Sequence, residues 1–116
     1  MSLLLSVSKN FIEALKFAGR ALSIDKKSSE AFNMIGLALL GLQRFPEAEK
    51  KLLKSISLNP DAASSHSNLS LVYRAQGEYD KALETIKRAA ALDNKNPQIL
   101  NNLGVLHLDC NNLEDA

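Results

Sequence analysis

One feature constrains this chain more than any other: its apolar and small residues recur every 34 positions. With Ser29–Ala62 set above Ala63–Asn96, Phe32 falls on His66, Ile35 on Leu69, Leu39 on Tyr73 and Phe45 on Tyr79. Further along, Ala48 falls on Ala82, Leu52 on Ile86 and Leu58 on Leu92. Pro97–Ala116 continues the register with Leu100, Leu103, Gly104, His107, Leu113 and Ala116, and Phe11, Ala14, Ala18 and Ala21 extend it backward. No insertion breaks the register. Such self-similarity points to one supersecondary unit used repeatedly, each copy burying its apolar face on its neighbours.

Within each unit the apolar residues form two stripes of helical spacing separated by a short break. This predicts helices over 9–24, 29–41, 46–58, 63–76, 79–91 and 97–109, with a new helix starting near Leu113. Residues 1–8 read as a shortened helix or an altered arm. Gly77 marks a helix stop that needs little steric room. The first full unit has Gln43 there, with Gly41 two residues earlier as a weak last turn or a close backbone approach. Pro46 and Pro97 fit helix starts, where a missing N–H costs little, and Asn96 is expected to cap the helix after it. Ala14, Ala48, Ala82 and Ala116 recur near the start of each second helix. Gly36, Ser70 and Gly104 recur on the first helix. Small residue against small residue lets two axes approach closely while Leu, Ile and Phe fill the seam.

Composition agrees with an all-α chain: 46% hydrophobic, 23% charged, 5% aromatic and no Trp. No apolar run approaches the roughly 20 residues of a membrane span, and Met1–Leu5 lacks the basic start and apolar core of a signal peptide. A net charge of +1 gives no argument for nucleic acid or a membrane as partner. Cys110 is the single cysteine, which excludes an intrachain disulfide and favours a reducing, cytoplasmic setting. His66 and His107 sit at packing positions and are expected to be buried or half-buried. With Cys110 they have no metal-ligand spacing, so neither metal nor cofactor is expected. Asn68-Leu69-Ser70 matches an N-glycosylation acceptor pattern but falls inside a predicted helix. The charge is polarised, with five basic and two acidic groups in residues 1–28 and only three acidic groups in 97–116. End-to-end self-association is one consequence to expect.

These residues resemble the tetratricopeptide repeat (TPR) family along the whole chain. Ser29–Ala62 supplies the family's Phe32, Ile35, Gly36, Leu39, Phe45, Ala48 and Pro60, with Ser55 replacing a customary Ala. Ala63–Asn96 supplies Leu69, Ser70, Tyr73, Gly77, Tyr79, Ala82 and Ala89, and departs at His66 and Asn94. The resemblance implies an all-α, right-handed superhelical solenoid of antiparallel helix pairs. It divides the chain into a partial repeat 1–28, repeats 29–62 and 63–96, and a truncated repeat 97–116. The first helix of each pair then lines a concave groove.

By that resemblance the candidate groove residues are Asn33, Leu37, Leu40, Asn68, Leu71, Arg74, Asn101, Asn102 and Val105. Leu37, Leu71 and Val105 form an apolar stripe, and the amides of Asn68 and Asn102 suit a peptide backbone. The same residues also fit simple packing between helices. TPR domains that clamp a C-terminal carboxylate use Lys, Asn and Arg at set groove positions, and only Asn68 matches. Asn68 and Asn102 also resemble the asparagine ladder of the O-linked N-acetylglucosamine transferases, which Met34 interrupts here. The expected function is a non-catalytic protein-interaction scaffold that holds a peptide or helix. A docking or regulatory module of a larger enzyme, such as a glycosyltransferase, and a self-assembly element are the alternatives.

Overall fold

The structure, a computed structural model, describes residues 3–24 and 28–115, with side chains described over 10–24 and 28–111. Every regular element among them is helical: α1 (Leu3–Ile24), α2 (Ser29–Gly41), α3 (Phe45–Leu58), α4 (Ala63–Ala75), α5 (Tyr79–Leu92) and α6 (Pro97–Asp115). They group into two compact units divided between Pro60 and Asp61. In the first, α2 packs on α1 and α3; in the second, α5 packs on α4 and α6, and α4 also meets α6. None of the described helices is long and apolar enough to cross a membrane.

The two central hairpins turn by the same device. After α2, the Gln43 N–H donates to the Leu40 carbonyl at 3.0 Å and the Arg44 N–H to that of Leu39 at 2.9 Å. After α4, the Gly77 N–H donates to the Arg74 carbonyl at 3.1 Å and the Glu78 N–H to that of Tyr73 at 2.9 Å. Each is a Schellman motif, which satisfies end carbonyls by placing one residue in the left-handed region. Gly77 does so at φ +79°, as expected, and Gln43 does so at φ +64° with a side chain attached. Helix starts differ more. The Ser28 hydroxyl accepts from the Ala31 N–H at 3.1 Å, and the Asn96 side chain accepts from Gln98 and Ile99 at 2.9 and 3.4 Å. α3 and α5 begin without a side-chain cap, α3 with proline in its first turn.

The small-residue seam is real. Ala48 and Ala82 are both 0% exposed, beneath the equally buried Leu52 and Ile86. Complete burial of one such aliphatic side chain is worth about 1.5–3 kcal/mol. A Cβ on Gly36 would come within 2.5 Å of Leu52 Cγ, and one on Gly41 would strike the Phe11 ring. Both glycines therefore mark close approach. The second unit centres on Ala82, Ile86, Ala89, Ile99 and Leu106.

Four expectations need correction. Helix α1 begins at Leu3 rather than 9, and α6 continues to Asp115 with no break before Leu113. In the two central hairpins a folded-back helix rewards the turn by burying an apolar stripe; among the described residues no helix folds back on α6. Gly104 has open space within 4 Å of its would-be Cβ, so it makes no close helix contact. Its would-be partner is the second helix that α6 never turns back to form. His107 is exposed, unlike His66 at 4% exposure, for the same reason. Ala116 and the side chains of Leu3–Leu5 lie outside the described residues.

Candidate functional site

In the first unit the candidate residues lie on α2. Leu37 is 44% and Met34 43% exposed, although the helix carrying them buries Ala31, Ile35 and Leu39 on its other faces. Asn33 and Leu40 are half-buried. The two exposed side chains border a cavity of about 260 Å³ between α1 and α2, whose other walls are Asn10, Phe11, Ala14 and Ala38. Helical spacing puts Met34, Leu37 and Ala38 on one stripe of α2, and Phe11 and Ala14 on one stripe of α1. The result is an apolar recess with a single amide at its edge, suited to an aliphatic or aromatic side chain of a partner.

In the second unit the residues lie on α4 and α6, which meet. Arg74 Nε donates to Asp109 Oδ2 at 2.6 Å, with the two side chains 44% and 24% exposed. Asn102 Nδ2 donates to Ser67 Oγ at 3.2 Å. Leu71 and Val105 are half-buried, Asn101 is exposed, and Asn68 is only 7% exposed. Arg74 is therefore charge-paired within the unit. Ser67 and Asp109 are also groove-facing positions by the family resemblance, and their pairing with Asn102 and Arg74 is visible only once α4 and α6 are placed side by side. A helix pair two elements apart in sequence leaves no short-range signal of such contacts.

Polar groups inside the helices are satisfied locally. Among the described residues, no buried side-chain nitrogen or oxygen lacks a hydrogen-bond partner. Ser70, fully buried, donates to the Ser67 carbonyl at 2.6 Å. Cys110, half-buried, lies with its Sγ 3.8 Å from the Tyr79 carbonyl oxygen. No group of three or more His, Cys, Asp or Glu stands in metal-binding proximity among the described residues.

Comparison with known proteins gives a consistent picture. The family model described as "Tetratricopeptide repeat" matches residues 33–97. The type IV pilus assembly protein PilF of Pseudomonas aeruginosa is 28% identical over 90 residues, which cover 78% of this chain and 36% of PilF. The chain thus spans about a third of that relative's length. Among solved structures, the first TPR domain of human RPAP3 superposes with a TM-score of 0.82 at 16% identity, covering 98% of this chain and 97% of that one. The first TPR of Spaghetti (RPAP3), bound to the HSP90 peptide SRMEEVD, superposes with a TM-score of 0.79 at 18% identity over 88% of this chain and 81% of that one. At these identities the structural likeness speaks for the fold: all-α, built from antiparallel helix pairs.

Proposed function

Since the chain belongs to the tetratricopeptide repeat family, we propose that it is a non-catalytic scaffold segment that holds a peptide or a helix of a partner protein. The observation that carries this reading is the exposure of Leu37 beside the apolar recess of Phe11, Ala14 and Met34. Met34 and Leu37 are exposed together at the mouth of that recess, and a contiguous apolar patch with an opening, rather than one exposed leucine, is what marks a docking surface. In the other unit, the half-buried Leu71 and Val105 and the exposed Asn101 offer similar chemistry. A solved relative of the same fold holds an HSP90 peptide. The repeat boundaries 29–62 and 63–96 belong to the same proposal, each repeat contributing one first helix to binding.

The test is direct. Peptides selected from a displayed library on the intact chain should shift the backbone amide resonances of Met34 and Leu37, or of Leu71, Asn101 and Val105, on titration. Shifts confined to the far side of α3 and α5 would contradict the assignment.

A further inference from the structure

We propose that the pocket between Phe32 and the Lys50–Lys54 turn of α3 is a separate binding site, for an acidic peptide segment that carries an apolar side chain. The pocket measures about 440 Å³ and is lined by Phe32, Lys50, Lys51, Leu53 and Lys54. Its floor is apolar: Phe32 is half-buried and Leu53 is 45% exposed. Its rim is wholly cationic, and Lys51 Nζ sits 5.8 Å from the centroid of the Phe32 ring. Phe32 and Leu37 are five residues apart on α2, about 140° around the helix. The pocket therefore faces away from the recess bordered by Leu37.

Two observations set this cluster apart from an ordinary solvated face. The first is charge balance. Lys50 and Lys54, one helical turn apart, repel each other, and Lys51 adds a third ammonium. Among the described residues, no carboxylate lies within ion-pairing distance of any of the three, nor of Lys87 and Arg88 at the equivalent places, but here three ammonium groups share one pocket. An anionic ligand would relieve that repulsion. The second is the comparison between units. Thirty-four positions on, Phe32, Lys50, Lys51, Leu53 and Lys54 become His66, Glu84, Thr85, Lys87 and Arg88. The scaffold does not require the cluster, since the second unit builds the same hairpin with an acid and a hydroxyl in it. A pocket with an apolar floor and three cations at its rim complements a Leu or Phe flanked by Glu or Asp. The apolar Phe32 and Leu53 set between the cations match a peptide side chain flanked by carboxylates better than a lipid headgroup, which offers charge alone.

The experiment is fluorescence polarisation of the intact chain with a fluorescein-labelled synthetic peptide, Glu-Glu-Leu-Glu-Phe-Glu-Glu. Saturable binding is expected, weakened by added salt and weakened about tenfold or more by the combined Lys50→Glu, Lys51→Glu and Lys54→Glu reversal. Leu53→Ser should weaken it as well. Leu37→Asp and the Lys87→Glu/Arg88→Glu pair should leave it unchanged. Circular dichroism checks the fold, and Lys54→Gln alone carries the test if the triple reversal loses helix. Absence of saturable binding overturns the proposal. So does equal loss in the Lys87/Arg88 variant, which marks unspecific attraction, or in Leu37→Asp, which places the peptide in the other recess. Binding to mixed phosphatidylcholine–phosphatidylserine vesicles without binding to the peptide also overturns it, in favour of a membrane.

Discussion

The hydroxyls of Ser29 and Ser55 lie 3.0 Å apart, and each donates to the other residue's carbonyl oxygen, at 2.9 Å from Ser29 and 2.8 Å from Ser55. This reciprocal clasp joins the first residue of α2 to the last turn of α3. Thirty-four positions on, the same two places hold Ala63 and Ala89, with Ala63 packed against the apolar cluster that contains Ala89. One seam is thus closed by two hydroxyls and the other by two methyl groups. Both acceptors are backbone carbonyls, which remain whichever hydroxyl is removed.

Ser55→Ala alone should therefore destabilise the first unit by about 1 kcal/mol, and the Ser29→Ala/Ser55→Ala double variant, which loses both donors, should lose about twice as much. Urea unfolding followed by circular dichroism measures both. Recovery of stability in the double variant would show instead that the two hydroxyls bond chiefly to each other.

Gly36 and Gly104 occupy equivalent places and predict opposite outcomes. Gly36→Ala drives a methyl into Leu52 and should cost about 1–3 kcal/mol. Gly104→Ala meets open space within a helix and should stabilise by about 0.5–1 kcal/mol. Thermal unfolding midpoints moving in opposite directions is the expected result.

The turn residues make a similar pair. Gly77→Ala keeps φ near +79° only with strain and should cost about 1–2 kcal/mol. Gln43→Gly, at φ +64°, should relieve strain and gain up to about 1 kcal/mol. Equal responses at the two turns would contradict the Schellman assignment.

Arg74 and Asp109 are partly solvated, so their 2.6 Å contact is worth little. Asp109→Asn should cost about 0.2–1 kcal/mol in dilute buffer and nearly nothing in concentrated salt. A loss that persists in salt would point to a packing role instead.

The hairpins were legible because a single physical rule writes them twice. Ala48 above Ala82 and Leu52 above Ile86 must meet equivalent neighbours, so sequence register translates into burial. Gly77 and the Asn96 cap carry local signals that need no tertiary context. What escaped reading depended on neighbours. Gly104 and His107 hold seam positions in sequence, but the helix that would cover them is not formed, so repetition overstated their burial. Lys9 and Asn111 stand where Gln43 and Gly77 turn the chain, and both remain helical within α1 and α6. Of the candidate binding residues, Leu37 was named through the family resemblance, whereas the partners of Arg74 and Asn102 emerged only from helices brought together across 35 residues of sequence.

On the proposed function, Leu37 is held out of the core to meet a partner. Isothermal titration calorimetry with a peptide selected on the intact chain, comparing wild type with Leu37→Asp, tests it most directly. At unchanged helix content, affinity should fall about tenfold or more, as expected when a charge enters an apolar recess. An unchanged affinity, or a variant that unfolds because Leu37 belongs to the core, would contradict it.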